Sequence, residues 1–133
     1  MLNHSLQVFS HAMREIEAVE GKILYNRFNM ALAALLHDVG KIGDSKGHEA
    51  FGAKLIEDFV WPDVTWLVEN HMRFWTYQLG EMKRPSKVAS ITFDPYRFQQ
   101  LSLIARWDKM GRNPNRKIVY DRDKIINQLT SLL

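Results

Sequence analysis

Several histidine and aspartate side chains fall on, or at the end of, predicted apolar helix faces, where an unpaired polar group is costly to bury. His37 and Asp38 end the apolar run in the segment ALLHDVGK, and His4, His71 and Asp108 lie in register with apolar residues of three other segments. Helical bundles build metal sites by pointing such residues inward from several helices, which also removes the burial cost. Imidazole nitrogens mixed with carboxylate oxygens suit divalent transition metals such as Mn, Fe, Co, Ni or Zn better than Ca. The joint pattern therefore favours a metal centre inside a bundle.

Each of these residues, taken singly, has an alternative interpretation as a core side chain that hydrogen-bonds to the backbone. A further histidine, His11, shares a helix face with His4. Two turns of helix would separate these two residues by roughly 10 Å at a rise of about 1.5 Å per residue, which is too far for one ion. We therefore expect only one of the two to be a metal ligand.

The elements that position these residues are predicted to be helices. Apolar residues recur at spacings of three and four in six segments, and only KVASITF is ambiguous between helix and strand. A helix is predicted over residues 62–74, and further helix starts are predicted after Asp94 and at Asp121. Residues 76–90 look like a connection with room for a short helix. In the third segment, the predicted apolar face comprises Phe51, Leu55, Ile56 and Phe59. The prediction is an all-α fold, a single compact bundle of five to seven helices that forms one domain over residues 1–133.

Composition and charge limit the compartment and the partners. Because the chain has no cysteine, disulfides, thiolate metal sites and cysteine nucleophiles are excluded. No apolar stretch approaches the about 20 residues that span a bilayer, and no signal-peptide pattern is present, so we expect a cytoplasmic protein without a membrane partner. Residues 61–133 carry twelve Lys/Arg and seven Asp/Glu, against six and eight in residues 1–60. This basic half is either an ordinary solvated surface or a face that attracts phosphate.

The ordered set of motifs resembles the HD superfamily of metal-dependent phosphohydrolases. The motifs are HSLQVF, ALLHDVGK, KGHEAFGAKLI, VENHMRF and LIARWDKMGR, which contribute His4, His37, Asp38, His48, His71 and Asp108. Within the superfamily the chain is most similar to the HD domain of bacterial CCA-adding tRNA nucleotidyltransferases, whose equivalents carry HDLGK, HEERG and ADxxGR stretches. The Asp-x-Asp at 121–123 lacks a preceding glycine-rich strand and turn, and no nucleotidyltransferase domain is present, so CCA addition is not expected.

The resemblance implies an HD-domain fold with one or two bound divalent cations, which could be Mn, Ni, Co, Fe, Mg or Zn. The implied ligands of the first cation are His4, His37, Asp38 and Asp108. Those of the second are Asp38, His48 and His71, so that Asp38 would bridge the two. A water activated by the cations would attack phosphorus in line, while the cations neutralise charge on the phosphoryl oxygens.

Side chains close to the motifs are candidate catalytic and substrate contacts. The predicted catalytic residues are His37, Asp38 and Lys41. The predicted substrate-binding residues are Lys41, Arg73, Trp75, Lys109 and Arg112. Arg106 could add a further phosphate contact. Trp75 and Tyr77 follow His71 in a predicted loop and could stack on a base. The alternative interpretation of each is an exposed, solvated or packed side chain.

The predicted function is hydrolysis of phosphate esters of nucleotides or RNA ends, of the 2′,3′-cyclic phosphodiesterase or nucleotidase/phosphatase type. We expect neither a membrane nor duplex DNA as a partner. Two alternatives stay open: a non-catalytic, metal-containing nucleotide- or RNA-binding module, and an all-helical interaction protein whose polar residues satisfy one another. The sequence leaves the substrate, the metal and the oligomeric state undetermined.

Overall fold

The computed structural model describes residues 2–19, 25–42 and 47–133. In these ranges it contains eight α-helices, one 3₁₀ helix at Val39–Ile42 and no β-strand. The helices are α1 (Leu2–Ala18), α2 (Arg27–Leu36), α3 (His48–Ile56), α4 (Pro62–Asn70), α5 (Arg73–Gln78), α6 (Pro85–Thr92), α7 (Pro95–Met110) and α8 (Arg122–Thr130). The all-α prediction is confirmed, with eight helices where five to seven were expected. Across the described ranges, we find no helix with the length and apolar character that crossing a membrane requires.

Helix α2 lies in the middle of the bundle, where it packs against α1, α4, α7 and α8. Its alanines, Ala31, Ala33 and Ala34, are fully buried and allow these neighbours to approach closely. Helix α3 covers α4 and the 3₁₀ helix, and α5 and α6 pack against α7. The segment that carries His37 and Asp38 is therefore surrounded by other elements of the fold.

Two helices start at the predicted aspartates, and both aspartates cap the first turn. The carboxylate of Asp94 accepts hydrogen bonds from the backbone N–H groups of Tyr96 and Arg97 at the start of α7. The carboxylate of Asp121 accepts one from the N–H group of Lys124 at the start of α8. Prolines open α4, α6 and α7, as expected for a residue that lacks an N–H group and has a helix-compatible φ.

The helix predicted over residues 62–74 is broken into α4 and α5. Helix α4 ends just before His71, whose ring Nδ1 donates a hydrogen bond to the carbonyl of Val68 at 2.6 Å. In a continuous helix that carbonyl would accept the N–H group of Met72, so the imidazole replaces a backbone bond. Trp75 lies on helix α5 and not in the predicted loop.

Helix α3 and the 3₁₀ helix approach each other through backbone atoms. A Cβ atom on Gly40 would lie 1.9 Å from the carbonyl oxygen of His48 and 2.6 Å from the backbone nitrogen of Gly52. No side chain can occupy that position without moving one of the two elements. The contact holds α3 with its His48 and Gly52 face inward, on the side of Asp38.

This contact makes the buried face of α3 differ from the predicted one. Phe51, Leu55 and Phe59 are exposed, whereas Ile56 is buried beside Ala53. Apolar spacing predicted a helix here correctly, but it placed the wrong side against the core. The reason is that backbone contact at two glycines, which have no hydrophobic side chain to count, decides the rotation of the helix.

Candidate metal centre

His37 and Asp38 follow the last residue of α2 and are both buried. His37 keeps helical backbone angles as the C-cap, and the 3₁₀ helix begins immediately after Asp38. Because α2 packs against α1 and α7, the end of its apolar run lies next to the helices that carry His4 and Asp108.

The first donor group consists of His4, His37, Asp38 and Asp108. His4 Nε2 lies 2.8 Å from Asp108 Oδ1 and 3.4 Å from Asp38 Oδ2. His37 Nε2 lies 3.3 Å from each of these two oxygens and 3.3 Å from His4 Nε2. Residues from α1, the end of α2 and α7 therefore bring nitrogen and oxygen atoms to one point.

The second donor group consists of Asp38, His48 and His71. Asp38 Oδ1 lies 3.1 Å from His48 Nε2 and 3.5 Å from His71 Nε2. The other oxygen of the same carboxylate, Oδ2, faces the first donor group. The structure thus brings all six predicted ligands together and divides the two oxygens of Asp38 between the two donor groups.

Backbone carbonyls orient three of the four imidazoles. A carbonyl oxygen only accepts hydrogen bonds, so the ring Nδ1 that contacts it carries the proton, and in the neutral ring Nε2 keeps its lone pair. The contacts are His4 to Gly111 (2.8 Å), His37 to Ala34 (2.8 Å) and His71 to Val68 (2.6 Å). In each of these rings the nitrogen left for a ligand role is the one that faces a donor group.

Gly111 is a positioning residue to which sequence reasoning assigned no role. A Cβ atom on Gly111 would lie 2.6 Å from Val8 Cγ2 and 2.9 Å from the Val8 nitrogen, so α7 ends in close contact with α1. That approach lets the Gly111 carbonyl reach His4 while Asp108, one turn earlier, contacts the other nitrogen of the same ring. The signal in the sequence is the glycine three residues after the aspartate in LIARWDKMGR.

The two donor groups fit divalent cations better than a set of mutually hydrogen-bonded side chains. His71 Nε2 is buried and makes no hydrogen bond to any described residue. His4 and His37 direct their Nε2 atoms, 3.3 Å apart, at the same two carboxylates, so that four ligand atoms converge on one point. Ligand atoms about 2.1 Å from a cation lie about 3.0 to 3.4 Å apart in octahedral or tetrahedral geometry. The separations around His4 Nε2 are 2.8 to 3.4 Å.

The helix ends add to this fit. His37 and His71 are the C-caps of α2 and α4, so the negative ends of two helix dipoles lie at the donor groups. A cation is stabilised there. Nitrogen-containing ligand sets of this kind suit transition metals better than Ca.

The model of a known protein family matches residues 1–128, and the description of that family is HD domain. The chain belongs to the HD domain family. This match confirms the predicted resemblance at the level of the superfamily. Members of the superfamily are generally metal-dependent phosphohydrolases. No curated protein matches this chain significantly.

The charged residues of the first donor group shift one another's pKa values. Burial opposes the charged form of His37, but hydrogen bonds and charges from Asp108 and Asp38 outweigh it and raise the pKa of His37 to about 9. Burial likewise opposes ionisation of both carboxyls. Contacts with His37, together with the charge of Lys41 for Asp38 and of Arg112 for Asp108, nevertheless lower both carboxyl pKa values. A cation that binds His37 Nε2 must therefore displace a proton at neutral pH.

These shifts predict how the stability of the metal-free HD domain depends on pH. The folded pKa of His37 lies above its ordinary value of 6.5, so its stabilising effect is complete below pH 6.5 and is lost as the pH rises through about 9. The lowered pKa values of Asp38 and Asp108 give stability above the ordinary 3.8 that is lost on acidification. Thermal denaturation in chelator should therefore show a maximum between these limits and a falling midpoint towards pH 9.

The matched control for this prediction is His37→Gln, which removes the titrating ring. Its midpoint should fall less between pH 6.5 and 9 than that of the unaltered protein. A midpoint of the unaltered protein that stays constant or rises over this interval would contradict the assigned pairing.

Cationic side chains surround the first donor group. Lys41 Nζ lies 3.2 Å from Asp38 Oδ2, and Arg112 donates a hydrogen bond to Asp108 Oδ1 at 3.1 Å. Most of the Arg112 side chain is exposed, whereas both carboxylates are buried. Positive charge therefore lies beside both buried carboxylates.

A basic cavity of about 240 Å³ lies beside Asp108 and is lined by Met72, Trp75, Lys109 and Arg112. The Lys109 ammonium lies 5.7 Å from the centre of the Trp75 ring and covers one face of the indole. Three of the predicted substrate-binding residues, Trp75, Lys109 and Arg112, thus share one opening at the first donor group.

The structure does not bring the remaining candidates to this opening. The guanidinium of Arg73 donates to the side chain of Asn70 at 2.8 Å, and Arg73 does not line the basic cavity. Tyr77 packs edge-on against Phe98, and Arg106 pairs with Glu15.

Of the two histidines on α1, one lies in a donor group. His4 joins the first donor group, and His11 belongs to neither group. This outcome agrees with the expectation that the helix can offer only one of its two histidines to a single ion.

Proposed function

We propose that this HD domain hydrolyses phosphate esters of nucleotides or of RNA ends, as a 2′,3′-cyclic phosphodiesterase or as a nucleotidase or phosphatase. The observation that carries the proposal is the divided carboxylate, because Asp38 turns one oxygen to each of two donor groups. Such a carboxylate can hold two cations side by side, an arrangement that recurs in enzymes of phosphate-ester hydrolysis. The similarity of the motifs to the HD domain of CCA-adding tRNA nucleotidyltransferases supports these substrate classes.

Bound cations would activate a water for in-line attack on phosphorus and would neutralise charge on the phosphoryl oxygens. The chain would contribute the ligands, with His37 held in position by the hydrogen bond of its Nδ1 to the Ala34 carbonyl. Lys41, close to Asp38 Oδ2, would bind a phosphoryl oxygen, and Arg112 would bind another with its planar guanidinium. Lys109 would attract the remaining phosphate charge into the basic cavity.

The proposal is tested by adding Mn²⁺, Ni²⁺, Co²⁺ or Mg²⁺ in turn to chelator-treated protein. Each form is assayed against bis(p-nitrophenyl) phosphate and against nucleoside 2′,3′-cyclic phosphates, monophosphates and triphosphates, with duplex DNA as a substrate that we expect to stay intact. At least one metal should restore turnover of a phosphate ester, and chelator should abolish it. Comparison of diesters with monoesters assigns the reaction type in the same experiment.

Two results would reject the proposal. Tight metal binding without turnover of any phosphate ester would favour a non-catalytic, metal-containing nucleotide- or RNA-binding module. No metal binding at all, by elemental analysis and by titration, would favour an interaction protein whose histidines and aspartates only satisfy one another.

A further inference from the structure

A second cavity, of about 380 Å³, borders the metal centre. Its lining is mainly apolar, in contrast to that of the basic cavity. It lies between α1, the end of α2 and α8, and Asp38 is among the residues that line it. Aliphatic side chains form most of its walls, including Leu6, Leu36, Ile125 and Leu129. Small-molecule sites are typically apolar cavities of about 300–1,000 Å³ with a few polar groups, which describes this one.

Four of the described polar residues line this apolar cavity, two of them neutral and two charged. Ser5 is buried and contributes a hydroxyl. Tyr120 contributes a phenol and Arg122 an exposed guanidinium. Asp38 is the single acidic residue among the described residues that line the cavity. A flat ring with a polar edge and an attached anionic group fits this lining, because the ring would contact the aliphatic walls. A phosphate without such a ring would find only one guanidinium and one carboxylate to contact.

We propose that the apolar cavity between α1, α2 and α8 binds the nucleobase of the substrate, so that the attached ester phosphate lies at Asp38. The inference rests on the proposed function and deepens it, because it makes the base a determinant of specificity. The rest of the phosphate chain or RNA end would extend to the basic cavity at Asp108, where Lys109 and Arg112 lie. Stacking on Trp75 is the competing position for the base, but Lys109 already covers one face of that ring.

The test uses Ile126→Trp, which places an indole at the mouth of the apolar cavity. Ile126 lines the cavity from α8 and is 47% exposed, so the larger side chain does not have to fit into the core. The matched control is Asn127→Trp, because Asn127 is the adjacent exposed residue of α8 and does not line this cavity. Trp75→Leu tests the competing position.

Binding is measured by saturation-transfer NMR on the metal-loaded full chain with adenosine, guanosine, cytidine and uridine, and with ribose as the probe that lacks a base. Nucleosides contain no phosphate ester, so this measurement does not depend on turnover. We expect saturation of base protons with the unaltered chain, Asn127→Trp and Trp75→Leu, and its loss with Ile126→Trp. In kinetics, Ile126→Trp should raise KM for nucleotide substrates by about tenfold or more and leave KM for ribose 5-phosphate unchanged.

The proposal is overturned if no nucleoside binds, if the two α8 variants behave alike, or if binding is lost in Trp75→Leu and kept in Ile126→Trp. These results are separable from failure of the proposed function. Absence of turnover with every metal rejects the hydrolase, while the nucleoside measurement still accepts or rejects the base-binding cavity.

Discussion

Replacement of Asp38 by asparagine is expected to lower metal-dependent phosphate-ester hydrolysis by about 10³-fold or more, since several kcal/mol of transition-state stabilisation depend on the cations. The carboxamide has nearly the shape of the carboxylate, but it carries no charge and offers one oxygen in place of two. Both donor groups use Asp38, one through each oxygen. A single substitution therefore weakens both cation sites, and elemental analysis after desalting should show that metal retention falls together with kcat.

The matched control for Asp38→Asn is Asp123→Asn. Asp123 is a highly exposed aspartate near the start of α8 and belongs to neither donor group. Circular dichroism should show that both variants keep their helix content, because the Asp38 side chain is not a helix cap. Full activity of Asp38→Asn with normal metal retention would remove the proposed metal centre.

Substitution of one histidine in each donor group is expected to separate the two cation sites. His4→Gln removes a ring that contacts Asp108 and Asp38 in the first donor group, and His71→Gln removes the buried Nε2 that lies 3.5 Å from Asp38 Oδ1 in the second. Each variant should lose affinity for one cation by about 100-fold or more and should keep the other site. Calorimetric titration with Mn²⁺ should give two sites for the unaltered chain and one for each variant.

His11→Gln is the control for this pair, because His11 lies on the same helix as His4 and outside both donor groups. It should bind both cations. A single site in the unaltered chain that both histidine variants abolish would mean that one ion uses ligands from both donor groups. Turnover would then have to depend on one cation alone.

The sequence was sufficient for the class of fold and for several element boundaries. Apolar spacing of three and four predicted helices because only a helix gathers those positions on one face. Asp94 marked one helix start because a short carboxylate can accept the free N–H groups of a first turn. Asp121 marked another because negative charge is favourable at a helix N-terminus. Membership of the HD domain family was also predictable, since the order of its motifs does not depend on folding.

The sequence was not sufficient where contacts with backbone atoms decide the local structure. Spacing continued a helix through His71, but the imidazole takes the Val68 carbonyl and ends it. Spacing also favoured burial of Phe51 and Leu55, but contact between Gly40 and Gly52 turns that face of α3 to the solvent. In both cases the deciding contact is made by atoms that a hydrophobic pattern does not count.

The sequence by itself determined which residues could serve as ligands, because residue type sets whether a side chain offers a nitrogen or an oxygen lone pair. Only the tertiary structure decided that His4 rather than His11 faces Asp108, and that Asp38 is divided between two donor groups. The same holds for the apolar cavity, whose walls come from α1, α2 and α8. Distances between residues far apart in the chain are set by how helices pack, and packing depends on small residues and backbone contacts rather than on the ligands themselves.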